Sequence, residues 1–147
     1  MSIDEEEINL ASFVKKNNVT ETRESLNDLF KSFSLSLPII NISLYSSQGF
    51  HIHSMKDLNA IHDEVAPFLS GVYNLSISFQ ENLLQGDSIK LIQFYGEKNN
   101  IYVFKVNLEL ILVLETRDLR DIAEGLFDIQ IRNLIMRVRK LLVDGGN

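Results

Sequence analysis

The stretch Leu108 to Glu115, LELILVLE, constrains the fold most, because its middle is apolar at both parities. In any strand built there, Leu110 and Leu112 point to one side and Ile111 and Val113 to the other. A strand that is apolar on both sides must be covered on both faces. This predicts a central place in a sheet, with helices above and below it. The rest of the chain has to supply those helices and the neighbouring strands.

Two strand candidates precede this one, Ile89 to Tyr95 and Ile101 to Val106, with the GEKNN loop between them. Further upstream the period is two from Ile39: Ile40, Ile42 and Leu44 alternate with Asn41, Ser43 and Tyr45, which predicts a strand with one buried face. Serines, Gln48 and Gly49 then form a turn, glycine accepting the positive φ that hairpin turns demand. The return strand is expected to carry Phe50, Ile52 and Ser54 on one face and His51 and His53 on the other.

Helical spacing marks the other segments. Leu58, Ile61, Val65, Phe68, Val72, Leu75 and Phe79 step by three and four and predict a helix over residues 55–80, bent or split at Pro67. So long a stripe can cover a sheet with one part and leave another for a partner. A helix starting at Thr20 or Thr22 carries Leu26, Leu29, Phe30 and Phe33 and ends between Ser34 and Pro38. A final helix over 118–143 turns Phe127, Ile131, Leu134, Val138 and Leu141 inward. Ser2, Glu5, Ile8, Ala11 and Val14 suggest a short helix over 3–16, ended by the KNN at 16–18. The reading is therefore an N-terminal helical extension, 1–18, and one domain, 19–147. No strand–helix–strand unit repeats, so the class is α+β with a five-stranded antiparallel sheet, in the order α-β-β-α-β-β-β-α.

At 147 residues the chain suits one core. It has no cysteine, which leaves no disulfide, thiolate metal site or thiol nucleophile. Its net charge of -6 argues against general nucleic-acid binding. The cations Arg132, Arg137, Arg139 and Lys140 gather where the negative end of a helix dipole favours them. No apolar run approaches the roughly 20 residues that cross a bilayer, and the start, MSIDEEE, is acidic where a signal peptide is basic. A cytoplasmic protein without a membrane span is the expectation.

Catalytic motifs are missing from the reading. The scattered glycines form no phosphate-cradling loop, so the chain is not itself a GTPase. His51 and His53, even with His62, make a poor metal site without a cysteine or a fixed carboxylate, and are read as ordinary strand residues. No serine lies in a nucleophile elbow. Carboxylates such as Asp118, Asp121 and Glu124 stand at an expected helix start, where dipole stabilisation explains them. Arg117 and Arg120 are the only arginines placed to reach a partner's transition state, and a solvated helix entry accounts for them more simply. No catalytic residue, cofactor or metal is expected.

The hairpin "PIINISLYSSQGFHIHS" and the segment "NLELILVLETRDL" together resemble the Roadblock domain of dynein light chains and small-GTPase regulators, over about Thr20 to Leu142. The resemblance implies a profilin-like sheet with the first and last helices on one face and the middle helix on the other. It also implies a homodimer made by pairing the third strand and packing the middle helices, and a Ras-like small GTPase or a second Roadblock chain as partner. The strand IKLIQFY is independently suited to pairing, being apolar with one lysine and no proline. The expected dimer interface is Leu58, Ile61, Val65, Phe68 and Val72 on the helix with Ile89, Leu91, Gln93 and Phe94 on the strand. Two alternatives from other classes are a scaffold or light-chain subunit with no effect on GTP turnover, and a PAS-like ligand sensor.

Overall fold

Helices and strands follow one another in a computed structural model as α1 (Val19–Ser34), β1 (Ile39–Ser46), β2 (His51–Ser54), α2 (Asn59–Asn82), β3 (Leu91–Tyr95), β4 (Asn99–Lys105), β5 (Leu110–Arg117) and α3 (Glu124–Leu142). The structure describes Leu10, residues 19–55, 59–83, Gln85, 89–119, Ile122 and 124–142, without the side chains of 59–66 and 124. The helix expected over 3–16 lies outside these residues, except for the buried Leu10.

All five strands pair antiparallel in the order β2-β1-β5-β4-β3. β5 is central, and its parity divides the interior as its sequence requires. Leu110, Leu112 and Leu114 join a large core with Leu26, Phe30 and Phe33 of α1 and Ile131, Leu134 and Val138 of α3. Ile111 joins a small core on the opposite face, with Tyr45, Val103 and Leu69 of α2. The first and last helices thus share one face and the middle helix has the other. Each fully buried leucine in the large core contributes roughly 1.5–3 kcal/mol, so among the described residues most of the packing energy lies on that face.

Three expectations are corrected. β1 is buried on both faces from Asn41 to Tyr45, not on one. Asn41 and Ser43 tolerate burial because Asn41 Nδ2 donates to Ser43 Oγ (3.2 Å), which also accepts from Ser54 Oγ (2.9 Å). Next, β2 does not alternate simply. Its register shifts between Leu44 and Tyr45, which face His53 and His51 respectively, so Ile52 is the extra residue of a bulge. Ile52 is buried in the large core, and His53 is buried against Phe30 of α1, ring centroids 5.8 Å apart. His51 instead meets Tyr45 on the other face, at 5.4 Å. The two histidines therefore do not share a face.

The last helix starts at Glu124 rather than 118. Leu119 and Ile122 pack partly against the core before it, and the Ile122 N–H donates to the Leu119 carbonyl at 2.9 Å. α2 runs unbroken through Pro67, without the alternative split. Among the described residues no helix is long and apolar enough to cross a membrane.

Candidate interaction surface

Among the described residues β3 is an edge strand paired with β4 alone. Its outer row of backbone N–H and C=O groups therefore faces away from the sheet, which is the usual template for adding a strand. Sequence places apolar side chains here, and alternation sends them to different faces. Leu91 and Gln93 lie opposite Phe104 and Tyr102 on the side of α3, whereas Ile92 and Phe94 lie opposite Val103 and Ile101 on the side of α2.

α2 has two apolar stripes. Leu69 and Tyr73 face the sheet, and Tyr73 Oη also donates to the Leu108 carbonyl at 3.3 Å. Near its C-terminal end α2 is held to the entry of β3, where the Ile89 N–H donates to Gln80 Oε1 at 3.0 Å. The seam there encloses only about 20 Å3, lined by Tyr73, Ile77, Ile89 and Ile92 among others. The second stripe, Phe68, Leu75, Phe79 and Leu83, points outward, with Phe68 75% exposed and Leu75 58% exposed. Phe94 and the facing Ile101 are exposed on the same side of the sheet. One flank of the molecule thus combines an open strand edge with large uncovered apolar side chains, a combination that marks interaction sites.

Of the expected interface, Leu58 lies outside the described residues, and so do the side chains of Ile61 and Val65. Phe68 and Phe94 are exposed, Val72 and Ile89 are half-buried, Leu91 packs partly against the large core, and Gln93 is exposed on the opposite face from α2. The structure therefore gathers Phe68 and Phe94 on one side and separates Leu91 and Gln93 from them. Missing from the expected set are Leu75, Phe79, Leu83 and Ile101. The pairing of Ile101 with Phe94 is set by register, which the sequence alone does not give.

Other chemistry is sparse. Among the described residues no group of histidines and carboxylates is arranged to hold a metal. His53 Nε2 donates to Asn27 Oδ1 at 2.7 Å, and His51 Nε2 is hydrogen-bonded with Ser54 Oγ at 2.7 Å, so both rings have structural partners. Burial pushes the Tyr45 phenol up to about 12, against a smaller opposing effect of its hydrogen bond with Ser43. Arg117 is exposed at the end of β5, and Arg120 lies outside the described residues.

No protein-family model matches the chain, and no curated protein does. Solved structures do. A Roadblock/LC7 domain from Streptomyces avermitilis has a TM-score of 0.68 at 17% identity, covering 79% of this chain and 96% of that one. The gliding protein MglB from Thermus thermophilus has a TM-score of 0.64 at 16% identity, covering 82% and 90%. MglB of Myxococcus xanthus has a TM-score of 0.62 at 15% identity, covering 80% and 94%.

Proposed function

We propose that this chain, which has the Roadblock/LC7 fold, is a non-enzymatic homodimer that binds or regulates a Ras-like small GTPase in the cytoplasm. The observation that carries the reading is the open β3 edge beside the outward stripe of α2. Two copies pairing along β3 satisfy both at once: the edges hydrogen-bond across a two-fold axis, and the apolar helix faces pack together. The sheet then has ten strands. Residues 19–147 form the domain, and 1–18 extend it.

In this reading the paired helices present a platform to the GTPase. The Roadblock resemblance supports this class of partner, and the structural similarity to MglB points the same way. Regulation proceeds by holding the partner's switch segments, with no arginine required from this chain.

Two measurements test the proposal. Sedimentation should give a dimer at micromolar concentration, and a cognate Ras-like GTPase should bind it and change its rate of GTP hydrolysis or nucleotide exchange. Binding with unaltered turnover and exchange would reduce the role to scaffolding. A monomer that co-purifies with a small molecule would instead favour the sensor reading.

A further inference from the structure

The layer formed by α1 and α3 carries a pattern of its own on the side away from the sheet. The two helices run antiparallel. Ser36 Oγ, just past the end of α1, donates to Gln130 Oε1 in the first half of α3 at 3.2 Å, while Asp28, farther back along α1, lines an open groove with Arg137 and Lys140, farther on along α3. Levels along the helices therefore correspond, Leu35 with Ile129 and Asp28 with Arg137 and Lys140.

Helical spacing sets which side chains point outward. On α3 the burial of Ile131, Leu134 and Val138 sends Ile129, Met136 and Lys140 to water, with Arg137 at the groove. On α1 the burial of Leu26, Phe30 and Phe33 sends Glu24, Asp28 and Lys31 outward, and Leu35 follows them just beyond the helix. Leu35 is 88% exposed and Ile129 60% exposed. The outer charges thus differ in sign, with carboxylates on α1 and cations on the facing turns of α3. Among the described residues Asp28, Arg137 and Lys140 form no ion pair within the chain. Lys31 breaks the pattern on α1, but its level is that of Met136, along which its aliphatic stem can lie. By the same spacing Asp128, Arg132 and Arg139 lie on the flank of α3 away from α1, and Arg139 is held there by the Val106 carbonyl at 2.6 Å.

We propose that this surface binds the same surface of a second copy, across a two-fold axis that runs parallel to the helices above the groove. Rotation about such an axis exchanges left and right without changing level, so α1 of each copy lies over α3 of the other. Leu35 then meets the other copy's Ile129, and Asp28 meets its Arg137 and Lys140, each contact occurring twice. Both halves of the complementarity are present on one chain, which favours a second copy over a foreign partner. An anionic lipid surface fits less well, because lying on both helices it would meet the carboxylates of α1 as well as the cations of α3. The contact is independent of pairing along β3, since the outward stripe of α2 is on the opposite face of the sheet.

A contact of this size is weak, with a dissociation constant on the order of 0.1 mM. In equilibrium sedimentation of the full chain, the mass at about 1 mM should be about twice that at about 10 µM, or more. That rise is read whether the micromolar species is one chain or a β3 pair, so it succeeds or fails separately from the proposed pairing. Asp28→Lys, and Arg137→Glu with Lys140→Glu, should each weaken the association at least about tenfold. An equimolar mixture of these two variants should restore it to within about threefold, because across a two-fold contact each reversed charge then meets its opposite. Mixing repairs no folding defect, so restoration reads the contact alone. No rise in mass up to about 1 mM, a rise indifferent to the reversals, or a mixture no better than its components would each overturn the inference and leave this face to a different partner.

Discussion

The two faces of the sheet are covered very differently. Under α1 and α3 the strands bury a continuous core that reaches from Ile52 at one edge to Phe104 near the other. Under α2 the buried core among the described residues is Tyr45, Leu69, Val103 and Ile111, with Tyr73, Ile92 and Val113 packed partly against it, and the helix leaves Phe68, Leu75 and Phe79 in water. Each face has a helix, yet among the described side chains only the first face is covered fully. The difference teaches that the first face carries more of the single chain's described core, whereas the second leaves apolar surface of the kind the proposed pairing would cover.

The sharpest way to break that comparison uses neighbours on one strand. Leu112→Ala opens the large core, and chemical denaturation should show a loss of about 3–5 kcal/mol. Ile111→Ala opens the small core beside an incompletely covered helix that can collapse inward, and should cost about 2 kcal/mol. Equal costs would mean that both faces are structural to the same degree.

Charge on the outward surface should spare the fold and disrupt assembly. Phe68→Glu with Phe94→Glu is expected to weaken self-association about a hundredfold in sedimentation, a change of roughly 2.7 kcal/mol, while the melting temperature at low concentration moves little. Loss of folding instead would show that this face is part of the monomer's core. A smaller effect is expected at the β3–β4 hairpin. A Cβ at Gly96 would stand 2.6 Å from the Asn99 carbonyl oxygen, so Gly96→Ala should cost about 1–2 kcal/mol in thermal unfolding.

The smallest effect concerns alkaline pH and the small core. Tyr45 titrates near its ordinary value of 10.0 when unfolded and at about 12 when folded, so burial favours the neutral phenol. Its contribution is fully present below about pH 10 and is lost as pH rises toward 12. Tyr45→Phe should flatten that part of the stability profile; an unchanged slope would place the buried titration elsewhere.

Much of this architecture was legible in the sequence. The two-sided apolarity of residues 110–114 predicted a central strand, and the run at 89–95 predicted an unprotected edge, both as observed. The bulge at Ile52 was not legible, because a period of two assumes that no residue is inserted. Asn41 and Ser43 misled in another way: small polar groups that bond one another can be buried, although alone they read as solvent-facing. In α2 the adjacent Phe68 and Leu69 belong to two helical stripes, and spacing does not decide which one faces the sheet. That choice is made by Tyr45, Val103 and Ile111 from distant strands. For the same reason the sequence could not foresee that, of the expected interface set, Phe68 and Phe94 are exposed on the side of α2 whereas Leu91 and Gln93 turn the other way.

The edge opposite β3 sets a limit on what such a molecule can build. β2 is only four residues long and is distorted by its inserted Ile52, so it offers a poor template for another chain. If two copies pair along β3 as proposed, the rims left among the described residues are the two short, bulged β2 strands, so strand pairing would end in discrete pairs and growth into fibres by that route would stop at four residues on the far side of the molecule.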